Sequence, residues 1–274
     1  MIKLALSGAG GNVGRILREA LPKEGFSLRS AGGRTPLAPL HDREDVMHGD
    51  LRDPIVVDRL LAGVEVLVHM AGTSVERPLP EIIENNLVAL HQVYEGARRH
   101  GVRRIVFASS NHAFGMHPVA SKLSRGADYR PDGFYGLSKV WGEAMARMYW
   151  DKHGIEAVVL RIGTSMGRPP ETPRQLSTWM GADDLVQLVT RAVAAENVGY
   201  CEVWGISANE RAYYDLSEAN AIGYRPEQNA EDWADEILAR PDPSDAVARR
   251  YQGGPFVSGD YTHAESRPGR SHGS

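Results

Sequence analysis

Tyr135 and Lys139 stand four residues apart in Tyr135-Gly136-Leu137-Ser138-Lys139, a spacing that puts both side chains on one face of a helix. A free phenol titrates near pH ~10 and is a poor base at neutral pH, but a neighbouring ammonium favours the phenolate, so Lys139 is expected to bring the Tyr135 pKa down. The pair could then take the proton of an alcohol, with Lys139 passing protons onward. Ser110 lies 25 positions before Tyr135, at the end of the apolar run Arg104-Ile105-Val106-Phe107-Ala108-Ser109-Ser110. A hydroxyl there can hydrogen-bond the reacting oxygen and hold it against the tyrosine.

Each of these features alone is commonplace, since such pairs occur on solvated helices and strand-end serines often serve only a turn. They gain weight from Ser7-Gly8-Ala9-Gly10-Gly11-Asn12-Val13-Gly14, which follows the first apolar run and opens the first helical one. Glycines in that position permit a tight turn and let backbone amides approach a pyrophosphate, while the helix N-terminus adds partial positive charge. Position 13 is valine, so the spacing is Gly8-x-x-Gly11-x-x-Gly14 and not the strict G-x-G-x-x-G. Gly8, Gly11, Asn12, Val13 and Gly14 are the expected dinucleotide cradle, and Lys139 could also hold the ribose hydroxyls of that cofactor.

Alternating elements must position these residues. Strands are expected near 2–7, 26–31, 44–48, 65–70, 103–109 and 156–161, with helices near 12–22, 54–62, 80–100 and 134–153. This alternation implies right-handed βαβ units around a parallel sheet: an α/β, Rossmann-like doubly wound fold. Pro54 after Asp53 suits a first helical turn, and Gly101 suits a helix C-terminus. After residue 161 the texture changes to the loop Arg168-Pro169-Pro170-Glu171-Thr172-Pro173, a helix over Gly181–Ala195, a strand over Cys201–Ile206 and small polar and aromatic pieces. The expected organisation is a dinucleotide-binding core over 1–161, a small C-terminal substrate-capping portion with remaining core elements over 162–257, and a disordered tail over 258–274.

The 274 residues, 42% hydrophobic, suffice for one large core that needs no metal or disulfide; Cys201 is the only cysteine. A cytoplasmic protein is expected, with no signal peptide and no run of membrane-spanning length. A formal net charge of -4 without a polybasic cluster argues against a nucleic-acid or membrane partner and for small-molecule chemistry. A homo-oligomer is expected.

The glycine spacing and the Ser110, Tyr135 and Lys139 set resemble the short-chain dehydrogenase/reductase superfamily, especially its extended branch. Further segments resemble the bacterial uronate dehydrogenases: Ala71-Gly72-Thr73-Ser74-Val75-Glu76-Arg77-Pro78, Ile105-Val106-Phe107-Ala108-Ser109-Ser110-Asn111-His112, Arg130-Pro131-Asp132-Gly133-Phe134-Tyr135-Gly136, Leu176-Ser177-Thr178-Trp179, Val203-Trp204-Gly205-Ile206-Ser207-Ala208-Asn209 and Gln252-Gly253-Gly254-Pro255-Phe256-Val257. The resemblance implies oxidation of D-glucuronate and D-galacturonate at C1 to an aldarolactone, with NAD+ as acceptor. It implies that Asp50 and Leu51 meet the adenine, that Met70, Ala71, Gly72, Asn86 and Ile162 run along the cofactor, and that Ser74, Ser110, Asn111, His112, Tyr135 and Thr164 surround the sugar while Arg174 grips its C6 carboxylate.

Two departures stand out. Gly163–Pro173 is proline-rich and unlike the family's equivalent, with Thr164 where the family has serine, which leaves substrate preference open. The second strand ends Ser30-Ala31-Gly32-Gly33-Arg34, with Gly32 in place of the family's ribose-binding aspartate; a 2′-phosphate then meets no carboxylate and could be attracted by Arg34, so NADP is a candidate beside NAD. A nucleotide-sugar epimerase or dehydratase, or a dehydrogenase of another sugar, would use the same scaffold and catalytic set; an NADP-sensing regulator would need only the glycine loop.

Overall fold

The computed structural model describes residues 2–33 and 36–263, so Arg34 and positions 264–274 of the expected tail lie outside the described residues. Strands β1 (Lys3–Ser7), β2 (Ser27–Gly32), β3 (Glu44–His48), β4 (Val66–His69), β5 (Arg104–Ser110), β6 (Glu156–Ile162) and β7 (Tyr200–Gly205) pair in parallel as one sheet, ordered β3-β2-β1-β4-β5-β6-β7. The chain winds from β1 toward one edge and then from β4 toward the other. The connections leaving β1 and β4 therefore diverge, and their carboxyl ends frame a crevice of the kind that binds ligands in doubly wound sheets.

Apolar residues on both faces make the sheet a buried layer. On β1, Leu4 and Leu6 face the side covered by α1 (Asn12–Ala20) and α7 (Ala182–Ala194), while Ala5 faces α2 (Pro54–Leu61), α4 (Ala89–His100) and α5 (Phe134–His153). The same alternation runs through β6, with Val158 and Leu160 on one face and Ala157 and Val159 on the other. Each fully buried Leu or Val side chain contributes on the order of 2 kcal/mol, so these two clusters dominate stability. Local signals agree: Asp53 accepts from the Ile55 amide at 2.8 Å to cap α2, and Gly101, in the left-handed region at φ 66°, ends α4.

The expected helix over 80–100 is interrupted. It consists of α3 (Leu79–Ile82), a π turn over Ile83–Val88 and then α4. Asn85 and Asn86 leave this widened turn toward the same neighbour: Asn85 Nδ2 donates to Thr73 Oγ1 at 3.0 Å, and Asn86 accepts from the Thr73 amide at 2.7 Å. Hydrophobic period alone cannot register the extra residue in such a turn.

Beyond β6 the chain forms α6 (Gln175–Thr178) and returns to the sheet with α7 and β7. It then supplies α8 (Ser217–Ala221), α9 (Ala234–Leu238), α10 (Ala246–Arg250) and α11 (Pro255–Ser258). Trp204 at the end of β7 is 1% exposed and stacks on Tyr214 with ring centroids 4.1 Å apart, a core position. Among the described residues no helix is long and apolar enough to cross a membrane.

Candidate active site

A cavity of about 1260 Å³ opens along the carboxyl ends of the strands. At one end lies the glycine turn, with Gly8, Gly11, Asn12, Val13 and Gly14 on the wall. Gly8 has φ +73°, and a Cβ there would come within 2.6 Å of the Ala71 amide nitrogen, so the turn after β1 lies against the turn after β4. A Cβ on Gly14 would sit 2.2 Å from Gly8 O, so α1 docks its first turn directly on the loop. That close packing brings the positive end of α1 to the cavity wall. Gly32, Asp50, Leu51, Met70, Ala71, Gly72 and Ile162 extend the wall.

The reacting end combines β5 and α5. Ser110 ends β5, its hydroxyl accepting from the His112 amide at 3.2 Å. Tyr135 and Lys139 share the face of α5 turned to the cavity, with Lys139 Nζ 5.5 Å from the centroid of the Tyr135 ring and donating to Ala108 O at 2.8 Å. Burial pulls the Lys139 ammonium down to about 8, against the opposing charge of Glu143 one turn along. Burial also pushes the Tyr135 phenol up to about 12, with the Ser110 hydroxyl working the other way. The expected fall in the tyrosine pKa is thus reversed: loss of water around the phenolate, with the nearby Asp132 charge, outweighs the Ser110 hydrogen bond.

Behind these groups, Glu143 and Arg161 form a fully buried ion pair at 2.8 Å. Ser109 donates to Glu143 at 2.5 Å and Tyr129 at 2.9 Å, which locks the end of β5 to α5. Glu76 accepts from the Phe134 and Tyr135 amides, each at 3.0 Å, and so caps α5 at the turn that carries the tyrosine.

The remaining wall is built from chain segments far apart. His112 follows β5 and lies under Phe256, ring centroids 3.9 Å apart, with its Nδ1 2.6 Å from the Asp132 carboxylate. Burial holds the imidazole below the usual histidine range. Arg174 donates from Nε to Gln252 O at 2.6 Å and from Nη1 to Thr164 Oγ1 at 3.4 Å. Its Nη2 is buried and has no hydrogen-bond partner among the described residues, although the side chain lines the cavity.

The model of the NAD dependent epimerase/dehydratase family matches residues 4–215. The chain belongs to this family. It is 40% identical to the uronate dehydrogenase of Pseudomonas syringae pv. tomato over 93% of this chain and 93% of that one. Its structure is similar to that of a mutant uronate dehydrogenase from Agrobacterium tumefaciens complexed with NAD, with TM-score 0.88 and 41% identity over 94% of this chain and 97% of that one. It is also similar to glucuronic acid dehydrogenase from Chromohalobacter salexigens, with TM-score 0.89 and 34% identity over 97% and 99% of the two chains.

In this member of the epimerase/dehydratase family, Ser74, Ser110, His112, Tyr135, Lys139, Thr164 and Arg174 all reach the one cavity. Two of the expected contact residues do not. Asn111 is 1% exposed and lies beneath the wall, its Oδ1 accepting from Ser110 at 3.3 Å. Asn86 spends its amide on Thr73 O at 3.0 Å and Ser138 Oγ at 2.9 Å, bracing the turn after β4 against α5, while Asn85 lines the cavity. Phe256, Glu76 and Asp132 escaped the sequence reading as site residues. All three lie in segments that carry the family resemblance, but an aromatic residue 121 positions after Tyr135 carries no local sign that it will stack beside it, and nothing in the residue types around Glu76 and Asp132 marks their partners.

Proposed function

We propose that this protein oxidises C1 of D-glucuronate or D-galacturonate to an aldarolactone, passing hydride to a nicotinamide dinucleotide. The observation that carries this reading is Arg174: a guanidinium on the wall shared with Tyr135, suited to a substrate carboxylate and with one buried nitrogen unpartnered among the described residues. The names of the relatives support the substrate class. The glycine cradle fits the cofactor, because side chains at Gly8 and Gly14 would fill the space that backbone must occupy. Bound NAD+ supplies the hydride acceptor for the C1 hydrogen. Tyr135 takes the O1 proton, Ser110 holds that oxygen, and Lys139 supports the phenolate and holds ribose hydroxyls. The C1–H and O1–H bonds break as the lactone carbonyl forms, leaving reduced nicotinamide and one proton. The portion after residue 162 covers the sugar through Thr164, Arg174 and Phe256. A screen of uronates and neutral sugars, read by absorbance of the reduced nicotinamide, tests this; preference for a neutral sugar would overturn the uronate assignment.

NADP+ is accepted beside NAD+ in this reading. Gly32 and Gly33 line the cavity where β2 ends, and a Cβ on Gly33 would meet nothing within 4 Å among the described residues. Gly32→Asp is expected to move the ratio of kcat/KM values toward NAD+ by about tenfold or more, since a carboxylate there bonds ribose hydroxyls and repels a 2′-phosphate. An unchanged ratio would show that cofactor choice is made elsewhere.

A homo-oligomer built on α5 fits the exposed apolar stripe Phe134, Leu137, Trp141 and Met148, each 45–50% exposed. Light scattering after gel filtration should then give a mass above 30.0 kDa for the parent and a smaller one for Trp141→Glu. A monomeric parent would remove this proposal. The lone thiol of Cys201 and the small-molecule site favour a cytoplasmic setting.

A further inference from the structure

Asp132 is a buried carboxylate that the reaction above does not use. Its side chain is 0% exposed, and Oδ2 lies 2.6 Å from His112 Nδ1. The two residues are tied a second time through the backbone, the Asp132 amide donating to His112 O at 3.3 Å. Three glycines make room for the carboxylate. A Cβ on Gly115 would come within 1.8 Å of Oδ2, on Gly253 within 2.0 Å of Oδ2, and on Gly136 within 3.1 Å of Oδ1. These glycines come from the turn after β5, the C-terminal segment and the first turn of α5, so three parts of the chain give up side chains around one carboxylate. Oδ1 is buried and accepts no hydrogen bond among the described residues. Burying a carboxylate so sparsely bonded is costly, and its one strong side-chain partner among the described residues is the imidazole.

We propose that Asp132 is a positioning residue: it holds His112 in the tautomer protonated on Nδ1, so that Nε2 meets the substrate as an acceptor for a sugar hydroxyl close to Tyr135. A carboxylate can only accept, so it keeps the single proton of a neutral imidazole on the nitrogen that faces it. Burial keeps His112 neutral; Arg174 adds to that effect, while Asp132 and Glu76 oppose it. The ring is held in place by Phe256 stacked at 3.9 Å and by the edge of Tyr135 at 5.7 Å, so it cannot turn over to exchange its nitrogens without moving them. A fixed acceptor rewards a hydroxyl and rejects a group without a proton to give. The proposal rests on the uronate reading only in taking a sugar as the hydroxyl donor.

Asp132→Asn keeps the volume, removes the charge and places an amide donor within reach of Nδ1, which favours the opposite tautomer. The expected result is a fall of about 10- to 100-fold in kcat/KM for D-glucuronate, mostly in KM, with NAD+ affinity unchanged. In a His112→Gln background the same substitution should cost less than about twofold further, because the residue acts through the histidine. Nitrogen NMR of His112, assigned by its loss in His112→Gln, should show the Nδ1-protonated form in the parent and the Nε2-protonated form in Asp132→Asn. Equal losses in both backgrounds would overturn the proposal and make Asp132 a brace for the surrounding loops. So would an Nε2-protonated parent, a measurement that stands even if the variant fails to fold. A parent inactive on every uronate but Nδ1-protonated counts against the uronate reading and for the tautomer.

Discussion

Tyr135→Phe is expected to lower kcat by about 100- to 10,000-fold while leaving NAD+ affinity within about twofold of the parent. Phenylalanine keeps the ring against His112 at 5.7 Å and Phe256 at 6.2 Å and removes only the hydroxyl. What is lost is the group that accepts the substrate proton beside Ser110. The same groups set the pH dependence. With the phenol at about 12 and the ammonium at about 8, the active form carries phenolate and charged lysine together. Below about 8 both groups are protonated, and the active fraction grows about tenfold per pH unit as the phenol ionises. Above about 8 that gain is cancelled by loss of the ammonium, so kcat/KM should climb to about 8 and then level, this parameter reporting the free enzyme. The variant should lose the climb below about 8, leaving only the effect of the Lys139 ammonium above it. A variant with near-parental kcat, or one that retains the climb, would remove Tyr135 from the proton transfer.

Arg174→Ala is expected to reduce kcat/KM for D-glucuronate by roughly 30- to 1000-fold, corresponding to about 2–4 kcal/mol for removing one partner of a charged contact in a partly dry site. The guanidinium is held by Gln252 O and Thr164 Oγ1, and its Nη2 is buried without a hydrogen-bond partner among the described residues. Gly254, at φ +61°, lets the C-terminal segment lie on the arginine: a Cβ there would sit 2.4 Å from its Cδ. The side chain is thus set in place before substrate arrives, and little ordering remains to be done on binding. Most of the loss should appear in KM, since a C6 carboxylate is remote from the reacting C1 and is bound alike in ground and transition states. Glucose, which lacks the charge, should be a poor substrate for the parent and almost indifferent to the substitution. Equal losses on glucuronate and glucose would make Arg174 a structural residue, and good parental activity on glucose would remove the uronate assignment while leaving a dehydrogenase.

The sequence by itself determined what depends on neighbours along the chain. Strand and helix order followed from apolar runs of the right length, and all seven observed strands lie within two residues of the expected ranges. The glycine turn and the Tyr135–Lys139 face were legible for the same reason, being local in sequence and carried by regular elements. Only the tertiary structure decided whatever depends on burial or on remote partners. The sign of the tyrosine shift is such a case: the sequence shows a lysine one turn away, but desolvation is a property of everything packed around the phenol. The π turn is another, because its reason lies in the bonds of Asn85 and Asn86 to Thr73 on a different loop. The Asp132–His112 contact and the stacking of Phe256 on that ring close over 20 and 144 positions of chain, distances at which side-chain chemistry leaves no periodic trace.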